Sequence, residues 1–326
     1  MSQQPQEQAL CTIDPYQFLQ ITKNPDGSIT RLMSFPTAAA TPDPDSPSPV
    51  LSKDILLNPN NATFLRLYLP RNAISSSSSS STKLPLIVYF HGGGFIILSA
   101  SSTLNHDFCS EMANHLSAVV VSVKYRLAPE ARLPAAYDDA TEALQWLKAT
   151  DEKWIREFSD VSSCYLMGTS AGANMAYHVG LRVASAVDEF GPLKMKGLIL
   201  HHPFFGGSQR TESEVRLANN PILPLSVTDL MWELALPFGA DRDHEYCNPP
   251  VVQDADVIQR IGWEVLVAAC VGDPMIDRQV EIGEKLRSRG VKVVEHVREG
   301  YHFMEHMEST KAGPLFNIIK DFIYAS

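Results

Sequence analysis

The feature that most constrains the fold of this chain is a regular alternation, from Leu51 onward, of short apolar runs with amphipathic stretches of helical length. Two opening strands are predicted at residues 50–57 and 63–69. The apolar runs typical of buried strands lie at residues 86–90, 118–123, 164–167, 197–200, 265–269 and 291–294. Apolar residues repeat with helical period at 137, 140, 144 and 147, and again at 315, 318, 319 and 322. The alternation predicts an α/β fold with a mostly parallel central sheet flanked by helices.

Two segments depart from this alternation. Residues 1–50 are rich in Pro, Ser, Asp and Thr, and because proline removes a donor and fixes φ we expect an extended arm. Its one apolar cluster, around Tyr16 to Ile21, is compatible with a short helix, which makes the arm a candidate lid. Residues 204–250 carry turn signals and one amphipathic piece near 225–236, and they are predicted to be an insertion over the functional face. The serine run at 75–81 predicts a flexible loop tip.

Charge and cysteine usage limit the partners and the compartment. A formal net charge of -10 over 326 residues argues against nucleic acid or an anionic membrane surface as partner, so we expect a small-molecule partner. No apolar run approaches the roughly 18 to 20 residues needed to span a bilayer, and the polar residues 1–8 do not resemble a secretory signal. The five cysteines are scattered and form no C-x-x-C pair, which argues against a disulfide framework or a zinc site. We expect a cytoplasmic protein, with a nuclear pool left open.

The strongest chemical signal is the pentapeptide from Gly168 to Gly172, with Ser170 at its centre. It follows a predicted strand and opens a helical pattern. A G-x-S-x-G turn from strand to helix is so sharp that small residues must flank the serine, and the turn lifts the hydroxyl clear of the sheet. Ser170 is therefore the candidate nucleophile.

A second glycine-rich signal follows the strand predicted at residues 86–90. His91 is followed by three consecutive glycines and Phe95, and each glycine costs backbone entropy on ordering. The backbone N–H groups of Gly93 and Gly94, together with that of Ala171, are predicted to converge on one substrate oxygen as an oxyanion hole.

The two remaining members of a triad are expected in the chain order acid, then histidine. Asp273 lies just past the strand predicted at 265–269, and Asp277 is the alternative, better suited to the start of the next helix. His302 lies on the last loop before the C-terminal helix, whereas its competitors His296 and His306 are expected within a strand and on a helix. Ser170, His302 and Asp273 would support acyl transfer through an acyl-enzyme.

Several other signals carry less chemistry. The run 241–245 is acidic and contains a histidine, but consecutive residues do not converge on one ion, so we predict no metal. No cofactor is predicted. The roles of His201 and His202, at the end of a predicted strand, are left open. One set of large apolar side chains has two possible roles, in a substrate pocket or in the core of the cap: Phe204, Phe205, Trp232 and Phe238, together with Met231.

With these residues in place, the sequence resembles the plant carboxylesterases of the hormone-sensitive-lipase-like group, which also contains gibberellin receptors and some dehydratases. The motifs that carry the resemblance are NPDGSITR at 24–31, HGGGF at 91–95, YRLAPE at 125–130, PAAYDD at 134–139, GTSAGAN at 168–174 and GDPMID at 272–277. The resemblance implies a single α/β-hydrolase domain over residues 1–326, with a cap built from about 1–45 and 204–250.

Departures from the family bear on the reaction. Ala173 stands where the family often has glycine. Gibberellin receptors of this group have lost the catalytic histidine, legume isoflavanone dehydratases have threonine at the nucleophile, and some alkaloid cyclases alter the triple glycine, whereas this chain does none of these things. We predict a carboxylesterase acting on small to medium apolar or aromatic esters. Two alternatives stay open: a lyase, dehydratase or cyclase on the same scaffold, and a small-molecule receptor. The natural ester and the oligomeric state do not follow from the sequence.

Overall fold

A computed structural model describes residues 11–75 and 83–325 of the chain. Most of the predicted serine loop, residues 76–81, lies outside the described part. The strands are β1 (Ile21–Lys23), β2 (Ile29–Arg31), β3 (Val50–Asn58), β4 (Thr63–Pro70), β5 (Leu84–Phe90), β6 (Val119–Lys124), β7 (Ser159–Thr169), β8 (Met195–His201), β9 (Glu264–Cys270) and β10 (Lys292–Arg298). The α-helices are α1 (Pro15–Leu19), α2 (Arg71–Ser75), α3 (Thr103–Leu116), α4 (Ala135–Ala149), α5 (Lys153–Phe158), α6 (Ala171–Ser185), α7 (Glu212–Arg216), α8 (Leu225–Ala235), α9 (Val251–Arg260), α10 (Ile276–Ser288), α11 (Met304–Met307) and α12 (Gly313–Tyr324).

One eight-stranded sheet organises the molecule, in the order β10-β9-β8-β7-β5-β6-β4-β3. The first two strands of this sheet in the chain pair antiparallel with each other, and β4 pairs antiparallel with β6. The other neighbours are parallel. The predicted α/β fold with a mostly parallel sheet is therefore confirmed.

The two faces of the sheet are covered by different helices. One face packs against α3 and α12, through a cluster that includes Phe108, Met112 and Ile319. The other face packs against α4, α6, α9 and α10, with Val179 and Ile282 in its core. Parallel strands buried on both faces explain why the central runs are continuously apolar.

All eight predicted strands overlap strands of this sheet, and their ends differ for a physical reason. The strand β10 runs to Arg298, four residues beyond its predicted end, because it lies at the sheet edge and alternates exposed with half-buried residues. The strand β7 begins five residues early, in the polar stretch from Ser159. Polar residues, whether on an edge strand such as β10 or at the start of a central strand such as β7, carry no continuous apolar signal.

The N-terminal arm is more ordered than an extended segment. Helix α1 forms at the predicted apolar cluster, and Asp14 caps it by accepting the N–H groups of Tyr16 and Gln17. The hairpin of β1 and β2 was not predicted. It closes through the turn at Asp26 and Gly27, where glycine adopts a φ of +86°.

The arm contacts the segment 204–250 on helix α8 and at Asn219, which precedes that helix. Ser226 Oγ donates to the carbonyl of Ile13 at 2.7 Å, and the N–H of Thr12 donates to Asn219 at 3.1 Å. The segment itself contains α7 and α8 and no strand among its residues, all of which are described.

Candidate active site

Ser170 sits at the sharp turn between β7 and α6. Its φ of +57° and ψ of -119° are strained for a residue with a side chain. The turn is held by the Ser170 N–H, which donates to the His201 carbonyl at 2.9 Å. A Cβ at Gly172 would lie 1.9 Å from the Phe90 carbonyl oxygen, so the motif requires glycine there because helix α6 passes directly over β5.

The three predicted triad residues meet at the carboxyl edge of the sheet. His302 Nε2 lies 2.9 Å from Ser170 Oγ, and His302 Nδ1 lies 2.6 Å from Asp273 Oδ2. Asp273 follows β9 and His302 follows β10, so neighbouring parallel strands deliver both side chains to one place. A carboxylate beside Nδ1 fixes the proton there, which leaves Nε2 with a lone pair facing the serine hydroxyl.

The Asp273 carboxylate is fully buried and densely hydrogen-bonded. Oδ1 accepts the N–H of Met275 at 2.9 Å, and Oδ2 accepts from His202 at 3.0 Å and from Gln279 at 2.9 Å, besides His302. Burial opposes its ionisation, but the neighbouring rings of His302 and His202, which donate hydrogen bonds to it, hold the pKa of Asp273 well below its usual range. The group is a carboxylate at any physiological pH.

The competing candidates lie elsewhere. Asp277 is in the first turn of α10, where it accepts the N–H of Ser213 at 2.7 Å. His296 lies within β10, and His306 lies on α11, where its ring stacks 3.8 Å from that of Phe108. Neither histidine has a hydrogen bond to Ser170 among the described residues.

The glycine-rich loop has the backbone that its composition predicts. Gly93 has a φ of +110° and Gly94 a φ of +59°, and a Cβ on either would come within 2.2 Å of its neighbours. The N–H groups of Gly93, Gly94 and Ala171 donate no hydrogen bond to any described residue. They are therefore available to a ligand.

His91 anchors the start of this loop. Its Nδ1–H donates to the Gly92 carbonyl at 2.7 Å, and its ring stacks on Tyr125 at 4.2 Å. The Tyr125 hydroxyl donates to the His91 carbonyl at 2.8 Å. Burial lowers the pKa of His91 to about 4, so the ring is neutral.

An apolar pocket of about 330 Å³ opens at Ser170 and His302. This volume is at the lower end of the range of small-molecule sites. One lining residue, Phe35, comes from the arm. Apart from Ser170 and His302, the lining residues are glycine or apolar: Phe35, Gly93, Gly94, Ile97, Leu98, Leu104, Ile222, Leu223, Met231, Phe303 and Met307.

The aromatic residues proposed for the pocket do not line it. Phe204 and Trp232 are buried and stack on each other at 4.6 Å, and Phe205 is buried against Tyr177. Phe238 is 89% exposed. The first three belong to the core beneath the segment 204–250, which agrees with the alternative left open in the sequence analysis, and the fourth lies on the surface of that segment. Of the run singled out in the sequence, only Met231 reaches the pocket.

Sequence reasoning missed a buried polar network behind the triad. His202 contacts Asp273 on one side and Glu305 on the other, and Glu305 also contacts His201 at 3.1 Å and Arg298 at 2.8 Å. The adjacent histidines His201 and His202 were a sequence signal for such a network. Glu305 gave no signal in the sequence, because it is a single acidic residue in a helical turn.

Metal binding does not fit this network. The groups His201, His202 and Glu305, and His202, Asp273 and His302, each bring ligand atoms within 4.8 Å of one another. Their oxygen and nitrogen atoms already satisfy one another by direct hydrogen bonds. Within the described residues, the run 241–245 forms no such converging group.

Comparison with known proteins identifies the family. A family model described as an alpha/beta hydrolase fold, Abhydrolase_3, matches residues 87–306, which is more than half of the chain. The chain belongs to this family. It is 52% identical to Carboxylesterase 20 of Arabidopsis thaliana, over 96% of this chain and 97% of that protein. It is 46% identical to 3-O-acetylpapaveroxine carboxylesterase CXE1 of Papaver somniferum, over 89% of this chain and 91% of that protein.

Solved structures agree with this assignment. A Pyrobaculum calidifontis esterase is 26% identical and superimposes with a TM-score of 0.69, covering 85% of this chain and 84% of that one. The resemblance to plant carboxylesterases is thus confirmed, and the chain is an enzyme with carboxylesterase function. None of the helices described is at once long enough and apolar enough to cross a membrane.

Proposed function

We propose that Ser170 is the nucleophile of this esterase, with His302 as its base and Asp273 as the group that orients the base. His302 Nε2 takes the hydroxyl proton while Ser170 Oγ bonds to the ester carbonyl carbon. The imidazolium then gives that proton to the departing alcohol, which leaves an acyl-enzyme. Water attacks this acyl-enzyme with His302 again as base, and the acid and free Ser170 are released. The hydrogen-bonded chain of three side chains at the mouth of an apolar pocket carries the proposal.

The negative charge of each tetrahedral intermediate is assigned to the N–H groups of Gly93, Gly94 and Ala171. The positive φ of Gly93 and Gly94, and the lack of a described protein acceptor for any of the three N–H groups, support this role. One such donor typically accounts for about 10²–10³ in rate.

The substrate class is a small to medium ester with an apolar or aromatic group. The pocket has a volume of about 330 Å³, and its lining contains no acidic or basic side chain other than His302. Such a lining favours an apolar group over a charged one. The two Papaver somniferum relatives carry an O-acetyl substrate in their names, which supports a short acyl chain on a larger alcohol.

The cap and the compartment belong to the same proposal. Phe35 of the arm, and Leu223 and Met231 of the segment 204–250, all line the pocket, which supports a cap built from about 1–45 and 204–250. All five cysteines are free thiols, and four of them are buried. That usage fits the reducing cytoplasm that we expect for the enzyme.

Turnover of p-nitrophenyl acetate and butyrate by the purified enzyme and by Ser170→Ala tests the proposal. Ser185→Ala is the matched control, because Ser185 lies at the far end of the same helix and donates only to the Leu181 carbonyl. We expect kcat to fall by about 10⁴ or more in Ser170→Ala and to stay unchanged in the control. An enzyme inert toward every simple ester would contradict the substrate class, and an active Ser170→Ala would contradict the nucleophile.

A further inference from the structure

His202 contacts the same Asp273 oxygen, Oδ2, as the triad histidine His302. It is the residue that follows β8, it is fully buried, and its φ of +48° places it in the left-handed region. A positive φ is uncommon outside glycine, although His, like Asn and Asp, adopts it more often than most residues do. A strained backbone held in place by its surroundings is found preferentially at functional sites.

Both ring nitrogens of His202 face carboxylate oxygens. Nδ1 lies 3.0 Å from Asp273 Oδ2, and Nε2 lies 3.3 Å from Glu305 Oε2. An ionised carboxylate only accepts hydrogen bonds, so each ring nitrogen must supply a proton. A histidine with protons on both nitrogens is an imidazolium. The nearby Cys270 thiol, 3.8 Å from Nε2, is a weak partner that does not change this conclusion.

Glu305 is held as a carboxylate by its other neighbours. Arg298 donates to Oε1 at 2.8 Å, and His201 Nε2 lies 3.1 Å from Oε2. Burial opposes ionisation, but the neighbouring rings of His201 and His202, which donate hydrogen bonds to it, keep the pKa of Glu305 well below its usual range.

The proton on His201 has a defined position because its neighbours form a directional chain. The Tyr89 hydroxyl donates to Thr169 at 3.0 Å, and the Thr169 hydroxyl then donates to His201 Nδ1 at 3.0 Å. His201 is therefore neutral and donates from Nε2 to Glu305. Burial, with the charge of His202, lowers the pKa of His201 to about 4. His306, whose Nε2 lies 2.8 Å from the Tyr89 oxygen, closes the chain as a second neutral ring.

We propose that His202 is a positioning residue of the esterase, a fixed imidazolium between Asp273 and Glu305 that holds the triad carboxylate and opposes premature protonation of His302. The titratable and charged groups that face this network are Asp273, Glu305, Arg298, His201, His302, His306 and Cys270. The charges of this network balance, since the two carboxylates Asp273 and Glu305 are matched by His202 and the half-buried Arg298.

The expected consequence is a shift of the pH–rate profile. The ring centres of His202 and His302 are 5.3 Å apart, and at an effective dielectric constant of about 20 to 40 the repulsion between two cations there amounts to about 1 to 2 pH units. With His202 neutral or absent, His302 would accept a proton from solvent more readily. The acid limb of kcat/KM would then move to higher pH.

The first test needs no variant. The enzyme labelled with ¹⁵N in its histidine rings is observed by NMR at pH 8, where ordinary histidines are neutral. We expect one of the ten histidines to keep protons on both ring nitrogens, and this signal to disappear in His202→Gln. Ten neutral rings at pH 8 would overturn the proposal.

The second test compares His202→Asn with Glu305→Gln by their pH profiles. The Asn amide can still donate to Asp273 but carries no charge. Gln removes the carboxylate that requires the second proton on His202 and leaves its ring in place. We expect the acid limb of kcat/KM to move up by about 1 pH unit in His202→Asn and in the same direction in Glu305→Gln. Unfolding in urea reports any structural effect separately.

A merely structural role would lower stability and leave the acid limb where it is in the wild type, and that result would refute the proposal. The inference rests on the proposed triad, but the two fail differently. If Ser170→Ala stays active, the triad is wrong whatever the histidine spectrum shows. If Ser170→Ala is inactive and no histidine is charged at pH 8, only the role of His202 falls.

Discussion

Replacing Asp273 by asparagine tests which of two nearby carboxylates serves the base. Asparagine has one oxygen and one NH₂ group in place of two oxygens. If its oxygen stays at Oδ2, the NH₂ group faces the N–H of Met275, and two donors oppose each other. If the amide flips, the NH₂ group faces His302 Nδ1, which must then give up its proton. The resulting tautomer carries its proton on Nε2 and cannot accept that of Ser170.

The magnitude follows from these contacts. A triad histidine forced into the wrong tautomer loses about 10⁴ in kcat. The buried His202 imidazolium also loses one of its two carboxylate partners, so we expect the free energy of unfolding to fall by about 3 kcal/mol or more. Hydrolysis of p-nitrophenyl acetate and urea unfolding, both at pH 7, measure the two effects.

Asp277→Asn is the matched control, four residues along the same chain. Asp277 accepts the N–H of Ser213 at 2.7 Å, and an asparagine oxygen can accept the same bond. We expect kcat within about twofold of the wild type and a stability loss below about 1 kcal/mol. The reasoning is refuted if Asp277→Asn loses as much activity as Asp273→Asn, or if Asp273→Asn stays within about tenfold of the wild type.

Three further predictions follow from the loop, the pocket and the buried histidines. In Gly93→Ala, the new Cβ would lie 2.2 Å from the Ile97 carbonyl oxygen, and we expect kcat to fall by about 10²–10³. The control is Gly27→Ala, at a glycine with a φ of +86° and no atom within 4 Å of the added Cβ. We expect this control to lose only about 1 kcal/mol of stability and no activity. Met231→Ala should change the ratio of kcat/KM for butyrate over acetate, and Phe238→Ala should leave that ratio unchanged. A ratio that changes only in Phe238→Ala would contradict the observed pocket lining and support a substrate site that includes Phe238. Acidification from pH 7 to pH 5 should lower the free energy of unfolding measured in urea. A buried histidine whose pKa in the folded state lies below 6.5 binds a proton more readily once the chain is unfolded. Each such histidine therefore contributes about 2 kcal/mol of stability that is present above pH 6.5 and is lost as the pH falls. These histidines include His91 and His201, whose pKa burial lowers to about 4, and His178, whose pKa burial lowers to about 3. Equal stability at the two pH values would contradict this.

The fold was predictable because its strands are buried on both faces. Six runs from residue 86 onward each correspond to a strand of the sheet. Four of them are apolar without interruption, and the other two contain one polar residue each, Ser122 and Lys292. The hairpin of β1 and β2 was missed because three-residue strands outside the main sheet have no repeat long enough to detect. Its turn at Asp26 and Gly27 was the only local signal.

The triad candidates followed from chain order, whereas the pocket did not. Ser170, Asp273 and His302 each come at the end of a strand, and parallel strands bring such ends to one edge. Which aromatic side chains face the pocket depends on how α8 packs, and helical spacing does not tell an inward face from a pocket face. Trp232 and Met231 are adjacent in sequence, but one packs on Phe204 and the other lines the cavity.

The most direct test of the central claim is to find the residue that forms the covalent intermediate. The wild-type enzyme is inactivated with a p-nitrophenyl phosphonate ester, digested, and mapped by mass spectrometry. We predict a single phosphonyl adduct on Ser170, no adduct in Ser170→Ala, and slower labelling in His302→Gln. An adduct on any other residue, or labelling of Ser170→Ala at the wild-type rate, would contradict the account.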